Sequence, residues 1–246
     1  IYTLTTDIFS LSLFGCVICL YVTGTIVSKI KKRPVPKWMT KTVKLNKFTE
    51  DNFSIKSHSD LVDVNVIDMK TEIITKKTHE TLSVKDENVI PSYDKDVWKV
   101  AAFDRTFGST KHAVGFLKNF GPRIGAFAST WSFHENNMIV IGSNEKDMAI
   151  AANSLLRTQG GMVVVYKGKI LSSMPLQMAG ILSTDSFEKT SKNFSNINNV
   201  LLDSGCKFKK PHLIPLFLPF LALPEIRILY QGLIDVKTRS FLKTIV

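Results

Sequence analysis

Apolar residues along this chain come mainly in strand-length runs separated by Gly, Pro or polar clusters, with only two stretches that carry a helical stripe. Residues 17–30, VICLYVTGTIVSKI, are mostly β-branched and are split by a central Thr-Gly pair, the pattern of a hairpin. Val62 to Met69, Thr81 to Lys85 and Trp98 to Phe103 read as strands, and so do Arg123 to Thr130 and Asn137 to Ile141, which meet at a polar corner. Asn144 predicts a helix N-cap with Asp147 at the third helical position. Met148, Ile150, Ala151, Leu155 and Leu156 form its stripe, and Gly160-Gly161 ends it. MVVVYKGKILSS predicts a hairpin about Lys167-Gly168, and Asp185 or Ser186 caps a second helix that closes near Ser204-Gly205. Pro211, Pro215, Pro219 and Pro224 break the apolar tail too often for a long helix, so it is expected to lie buried against the central strands.

Charge and cysteine usage change this picture at the front of the chain. Ile8 to Ser28 holds no charged residue and basic residues follow at once, so by length and flank the run also fits a membrane span with a positive cytoplasmic side. Between Lys29 and Lys47 stand Lys29, Lys31, Lys32, Arg33, Lys37, Lys41, Lys44 and Lys47 with no acid, a large share of the net +11 over 246 residues. A solvated linker accounts for that run, and so does an anionic partner. Cys16, Cys19 and Cys206 show no disulfide or metal-ligand pattern, and the default setting is reduced and cytoplasmic. The chain begins at Ile1, as the tail of something longer would.

Candidate chemistry concentrates between Phe103 and Gly142, where Gly108, Gly115, Gly121, Gly125 and Gly142 frame short apolar runs and the polar SFHENN turn. Ser132, His134, Glu135, Asn136 and Asn137 are the residues best placed for function, because loops held by rigid strands present it. His134 and Glu135 form the adjacent acid–base pair, with imidazole able to accept or donate a proton and carboxylate to accept one. Asp104-Arg105 reads as a structural ion pair. His58 and His79 sit among charged neighbours and read as solvent-facing, and His212 reads as a structural histidine. No dinucleotide or phosphate-loop glycine pattern, nucleophile elbow, or His-x-His or His-Glu-x-x-His metal seed is present.

Several blocks in order carry a resemblance. Asp104-Arg105, GFLKNFG at 115–121, GAFAST at 125–130, NNMIVIG at 136–142, Asp147-Met148-Ala149, GGMVVV at 160–165, PLQMAGILS at 175–183, FLALPEI at 220–226 and GLIDV at 232–236 resemble the C-terminal domain of bacterial and archaeal adenine deaminases. Residues 17–45 resemble the segment that joins the metal barrel of those enzymes, through a small β-domain, to that domain. The resemblance implies an α+β fold of mixed sheets with a few helices over 46–246, preceded over 1–45 by a β-hairpin remnant and the basic linker. It implies an amidohydrolase parent that turns adenine and water into hypoxanthine and ammonia at a divalent metal, manganese or iron, held by a β/α barrel absent from this chain. No metal ligand is carried over, and this chain alone is expected to be inactive. The partners implied are that barrel, a purine base and further copies in a homo-oligomer, without nucleic acid or membrane.

In this reading His134 and Glu135 are the catalytic candidates, and Ser132, Asn136 and Asn137 bind substrate. Leu11, Leu13 and Phe14 would face the barrel. The family's corner motif, His-Asp-Ser-His-Asn, aligns with Phe133-His134-Glu135-Asn136-Asn137, so that Phe133 and Asn136 replace both family histidines and Asn137 is kept. That departure implies a divergent branch with a different substrate, or a copy without activity. The competing class is a membrane-anchored or nucleic-acid-binding basic module without catalysis.

Overall fold

The computed structural model describes residues 34–132 and 135–246 throughout, and ahead of them the backbone of three strands. The chain divides into two compact units, Ile1–Pro36 and Lys37–Val246. In the first, β1 (Ile8–Leu13), β2 (Cys16–Val22) and β3 (Thr25–Lys29) form an antiparallel sheet in that order. The run that fitted either a hairpin or a span is therefore a hairpin, with Val22 opposite Thr25, and β1 adds a strand to it with Ile8 opposite Val22. The side chains of Leu11, Leu13 and Phe14 lie outside the described residues. No helix among the described residues is long and apolar enough to cross a membrane.

The second unit opens with two short 3-10 turns, Lys37–Thr40 and Glu50–Phe53. Its first strands are β4 (Leu61–Met69), β5 (Thr75–Lys85), β6 (Asn88–Val89), β7 (Val97–Phe103), β8 (His112–Lys118), β9 (Ala126–Ser129) and β10 (Met138–Gly142). After helix α1 (Glu145–Thr158) come β11 (Gly161–Tyr166) and β12 (Lys169–Pro175). Helix α2 (Phe187–Asp203), the short α3 (Ile214–Phe217) and a hairpin-built sheet of β13 (Ile226–Leu229), β14 (Gly232–Asp235) and β15 (Ser240–Leu242) complete it. The central sheet runs β12-β11-β9-β10-β7-β8-β4-β5-β6, antiparallel except where β4 lies parallel to β8. Mixed sheets with three helices make this the α+β domain expected.

Both faces of the sheet's middle are covered, which is why its strands read as unbroken apolar runs. Ile139 and Ile141 of β10 pack with Phe127, Met162 and Val164, under Ile197 and Leu201 of α2 and Ile214 and Leu218 of the tail. Met138 and Val140 point the other way, with Ala126, Ala128, Val163 and Val165, against Met148, Ala152 and Leu155 of α1. Each such buried aliphatic side chain contributes about 1.5–3 kcal/mol. Strand β5 begins at Thr75, well before the expected Thr81, because Lys76, Lys77, His79 and Glu80 leave only one residue in several to the core and hide the strand's alternation. Strand β8, interrupted by Gly115 and bracketed by charge, was not anticipated at all.

Local signals act as the pattern predicts. Asn144 Oδ1 accepts the Asp147 amide at 2.8 Å to start α1, and Ser186 Oγ accepts the Lys189 amide at 3.3 Å to start α2. The Asp147 carboxylate accepts from the Lys167 and Gly168 amides at 2.9 and 2.8 Å, so one residue ties the helix start, through its amide, to the β11–β12 turn, through its carboxylate. Lys99 of β7, fully buried, donates to Glu145 at the head of α1 and to Asn88 Oδ1 at 3.0 Å. The tail packs on the sheet as expected. Fully buried Arg227 collects the carbonyls of Pro224 at 2.6 Å, Ile73 at 3.0 Å and Leu223 at 3.2 Å, a stitch that lets the proline-broken segment lie against the core.

Candidate functional site at one end of the sheet

The strand register gathers four loops at one end. Phe103 lies opposite both Met138 and His112, Ser129 opposite Ile139 and Met162, and Gly161 opposite Pro175. The connections 104–111, 130–137, 159–160 and 176–182 therefore leave the sheet together. Residues 37–48 run along the same end: Met39 O accepts the Ala179 amide at 2.6 Å, the Lys44 amide donates to Arg105 O at 2.8 Å, and the Phe48 amide donates to Asn153 Oδ1 at 2.9 Å.

Asp104 and Arg105 do not pair with each other, which corrects the ion-pair reading. Successive side chains at a strand end point to opposite sides. Asp104 Oδ1 instead accepts the Thr106 and Phe107 amides, each at 3.1 Å, and shapes the turn. Arg105 is 2% exposed and has no carboxylate within ion-pair distance among the described residues. Its Nη1 donates to Ala179 O at 3.1 Å and its Nη2 to Asn136 Oδ1 at 3.3 Å, while Nε has no hydrogen-bond partner. Burial pushes the guanidinium down to about 10, so it stays charged at neutral pH. A desolvated cation held only by neutral oxygens is costly to the fold and suits a place where a polar ligand is to be met.

The corner itself is tied down from both sides. Thr130 Oγ1 donates to Gly180 O at 2.6 Å and accepts the Gly161 amide at 2.8 Å. Asn137 is fully buried, with Nδ2 donating to Glu135 O at 3.0 Å and Oδ1 accepting the Tyr230 amide at 2.9 Å, so its amide is occupied in holding the loop. Asn136 sits at φ +50°, and Arg105 aims its side chain. Ser132 is buried with its hydroxyl unpartnered, and Glu135 is half-buried. The structure thus brings Ser132, Glu135, Asn136 and Asn137 into one loop, while Phe133 and His134 lie outside the described residues. Sequence reasoning missed Arg105 and the 176–182 loop. The signal for the first was an Asp-Arg pair directly following the apolar run VAAF.

His212 is structural in its surroundings. It is buried, its Nδ1 donates to Asn198 Oδ1 at 2.9 Å, and its ring packs on Phe194 at 4.4 Å and Trp131 at 6.4 Å between centroids. Burial, with Lys210 nearby, lowers its pKa to about 4 from the unfolded 6.5, against the weaker pull of Glu72. As pH falls below 6.5 the unfolded chain takes up this proton first. Stability present above pH 6.5 is therefore lost as pH drops toward 4, by about 2 kcal/mol at pH 5. Urea melts at pH 7 and pH 5 check it: H212Q should flatten the difference, and an unchanged difference would remove His212 as its source.

Among the described residues no three His, Cys, Asp or Glu side chains converge as a metal site requires. They do not fit the manganese or iron centre implied by the resemblance.

Comparison with known proteins bears on this site. The sequence profile of the adenine deaminase C-terminal domain matches residues 72–240. The chain is 50% identical over 222 residues to a protein named adenine deaminase from Cenarchaeum symbiosum (strain A), covering 90% of this chain and 36% of that relative. It is 33% identical over 226 residues to an adenine deaminase of Clostridium botulinum (strain Langeland / NCTC 10281 / Type F), covering 91% of this chain and 38% of the relative. It is 34% identical over 221 residues to an adenine deaminase of Brucella abortus (strain 2308), covering 89% and 38%. The chain thus spans little more than a third of the length of the curated relatives it matches.

Proposed function

We propose, because this chain belongs to the adenine deaminase C-terminal domain family, that it serves as the C-terminal domain of an adenine deaminase-like amidohydrolase, inactive by itself, whose hydrolytic centre lies in a separate barrel. The observation that carries this reading is the similarity to adenine deaminases along nine-tenths of the chain, which includes the corner. In the complete enzyme the 130–137 corner would close over the mouth of the barrel and meet the purine. Glu135 would accept a hydrogen bond from a ring N–H or exocyclic amine, and Asn136, aimed by Arg105, would read a neighbouring edge atom. His134 would carry a proton between base and solvent. Asn137 and Thr130 position this loop rather than touch substrate. Trp38, next to the Met39 that accepts the Ala179 amide, and Phe107, on the turn after Arg105, are 73% and 83% exposed and offer apolar surface for the barrel to cover.

The test is made in the full-length protein with H134A and E135A, assayed for adenine turnover. Each is expected to lower kcat/KM by about tenfold or more, as removing a positioned proton-transfer or hydrogen-bonding group does. Turnover equal to the parent in both would take the corner out of the active site.

A further inference from the structure

The basic run read in the sequence is left without a purpose by the family assignment. Its described part, from Lys37 on, folds over the 104–112 turn and closes a pocket of about 170 Å³. Lys44 and Lys47 line it, with Asn52 from the second 3-10 turn and Ser109, Thr110 and His112 from the opposite turn, and no Asp or Glu contributes to its wall. Neither lysine has an ion-pair partner among the described residues. The pocket's shape comes from fixed backbone. The Lys44 amide is bonded to Arg105 O, and Gly108 turns at φ +70° where a Cβ would stand 2.7 Å from Lys44 O, so only glycine lets the two segments touch.

Several polar groups here have their acceptor side already used. Ser109 Oγ accepts the Lys111 amide at 3.0 Å, which leaves its hydroxyl proton to donate. Asn52 Oδ1 accepts the Thr49 amide at 2.8 Å, which leaves its amide N–H groups. His112 lies flat on Phe103, with centroids 5.1 Å apart and planes at 16°, and its Nδ1 donates to Thr110 O at 3.3 Å, which fixes the ring as a side wall. Two lysines without an ion-pair partner among the described residues share the wall with hydroxyl and amide donors and no carboxylate, an environment that favours a compact oxyanion.

We propose that this pocket binds the phosphate group of a small molecule, either free phosphate or a phosphate monoester. The volume holds roughly five or six waters, enough for a phosphate with part of its hydration but short of the long track a nucleic-acid backbone needs. A bound phosphate would pin residues 44–52 to the 108–112 turn, next to Arg105, whose side chain bonds the corner at Asn136.

Calorimetric titration of the whole chain at constant ionic strength tests this, with inorganic phosphate, AMP and a single-stranded RNA oligomer as probes. Saturable binding of one phosphate or one AMP is expected, at least tenfold weaker in K44Q/K47Q and about threefold weaker in S109A; the melting temperature of K44Q/K47Q should be unchanged, because the two ammonium groups hold nothing else among the described residues, and that of S109A lower only by the lost bond to the Lys111 amide. AMP at least tenfold tighter than phosphate would identify a nucleotide as the natural source, and equal affinities would identify free phosphate. The proposal is overturned if neither phosphate nor AMP saturates, if K44Q/K47Q binds as the parent does, or if RNA binds more tightly with an affinity that grows with its length.

Discussion

Gly125→Ala is expected to destabilise the second unit by about 3 kcal/mol or more, a large change for a single methyl group. A Cβ at this position would lie 1.7 Å from Asp147 Oδ2 and 2.5 Å from its Cγ, and the nearby backbone has little room to give. The Gly125 amide donates to Val165 O and its carbonyl accepts the Ser143 amide, both at 2.9 Å, so the strand cannot shift without losing both. The buried carboxylate must then leave, breaking the bonds it accepts from the Lys167 and Gly168 amides of the exposed β11–β12 turn, and a hydrogen bond to a charged group contributes about 1.5–3 kcal/mol. Asp147→Ala removes the same hydrogen bonds but clears the space. In a double-mutant cycle by urea denaturation, G125A should therefore cost far less on the D147A background than alone. Additive losses, or a G125A loss below about 1 kcal/mol, would refute the steric account.

Arg105→Met should separate stability from function. The guanidinium is buried without an acidic partner, so its desolvation is not offset by an ion pair, and a methionine of similar length removes that cost. Against this stands the loss of donors to Ala179 O and Asn136 Oδ1. The two effects oppose, and the variant should unfold within about 1 kcal/mol of the parent. In a full-length enzyme, however, kcat/KM for adenine should fall about 100-fold, because Asn136 loses the donor that aims it and the site loses a preorganised cation. Arg105→Lys keeps the charge but not the fork that spans both oxygens, and should recover only part of the activity. A loss of more than about 3 kcal/mol in R105M, or full activity with the corner loosened, would show that Arg105 is a structural brace and nothing more.

The corner was visible in the sequence before its geometry was known, since glycines and a polar SFHENN turn between two apolar runs announce a loop on rigid strands. The roles within it were not visible. Asn136 and Asn137 look alike in the sequence, yet one amide is turned toward Arg105 and the other is spent on Glu135 and Tyr230. That difference depends on Tyr230 arriving from the far end of the chain. The basic run was equally ambiguous. Lys44 and Lys47 become a pocket wall only because the 108–112 turn folds against them.

What the amino-acid order determined alone is whatever closes within a few residues: the Asn144 cap and the hairpin at Lys167-Gly168. Each is settled by a hydrogen bond or turn whose partners are neighbours, so propensity and spacing suffice. Only the tertiary structure decided that β9 lies between β10 and β11, that β4 runs parallel to β8, that charged β5 is one long strand, and that Arg105 rather than Asp104 reaches Ala179 and Asn136. Those outcomes rest on contacts between distant segments, where burial of both sheet faces and the exclusion of water select one arrangement that no local pattern encodes.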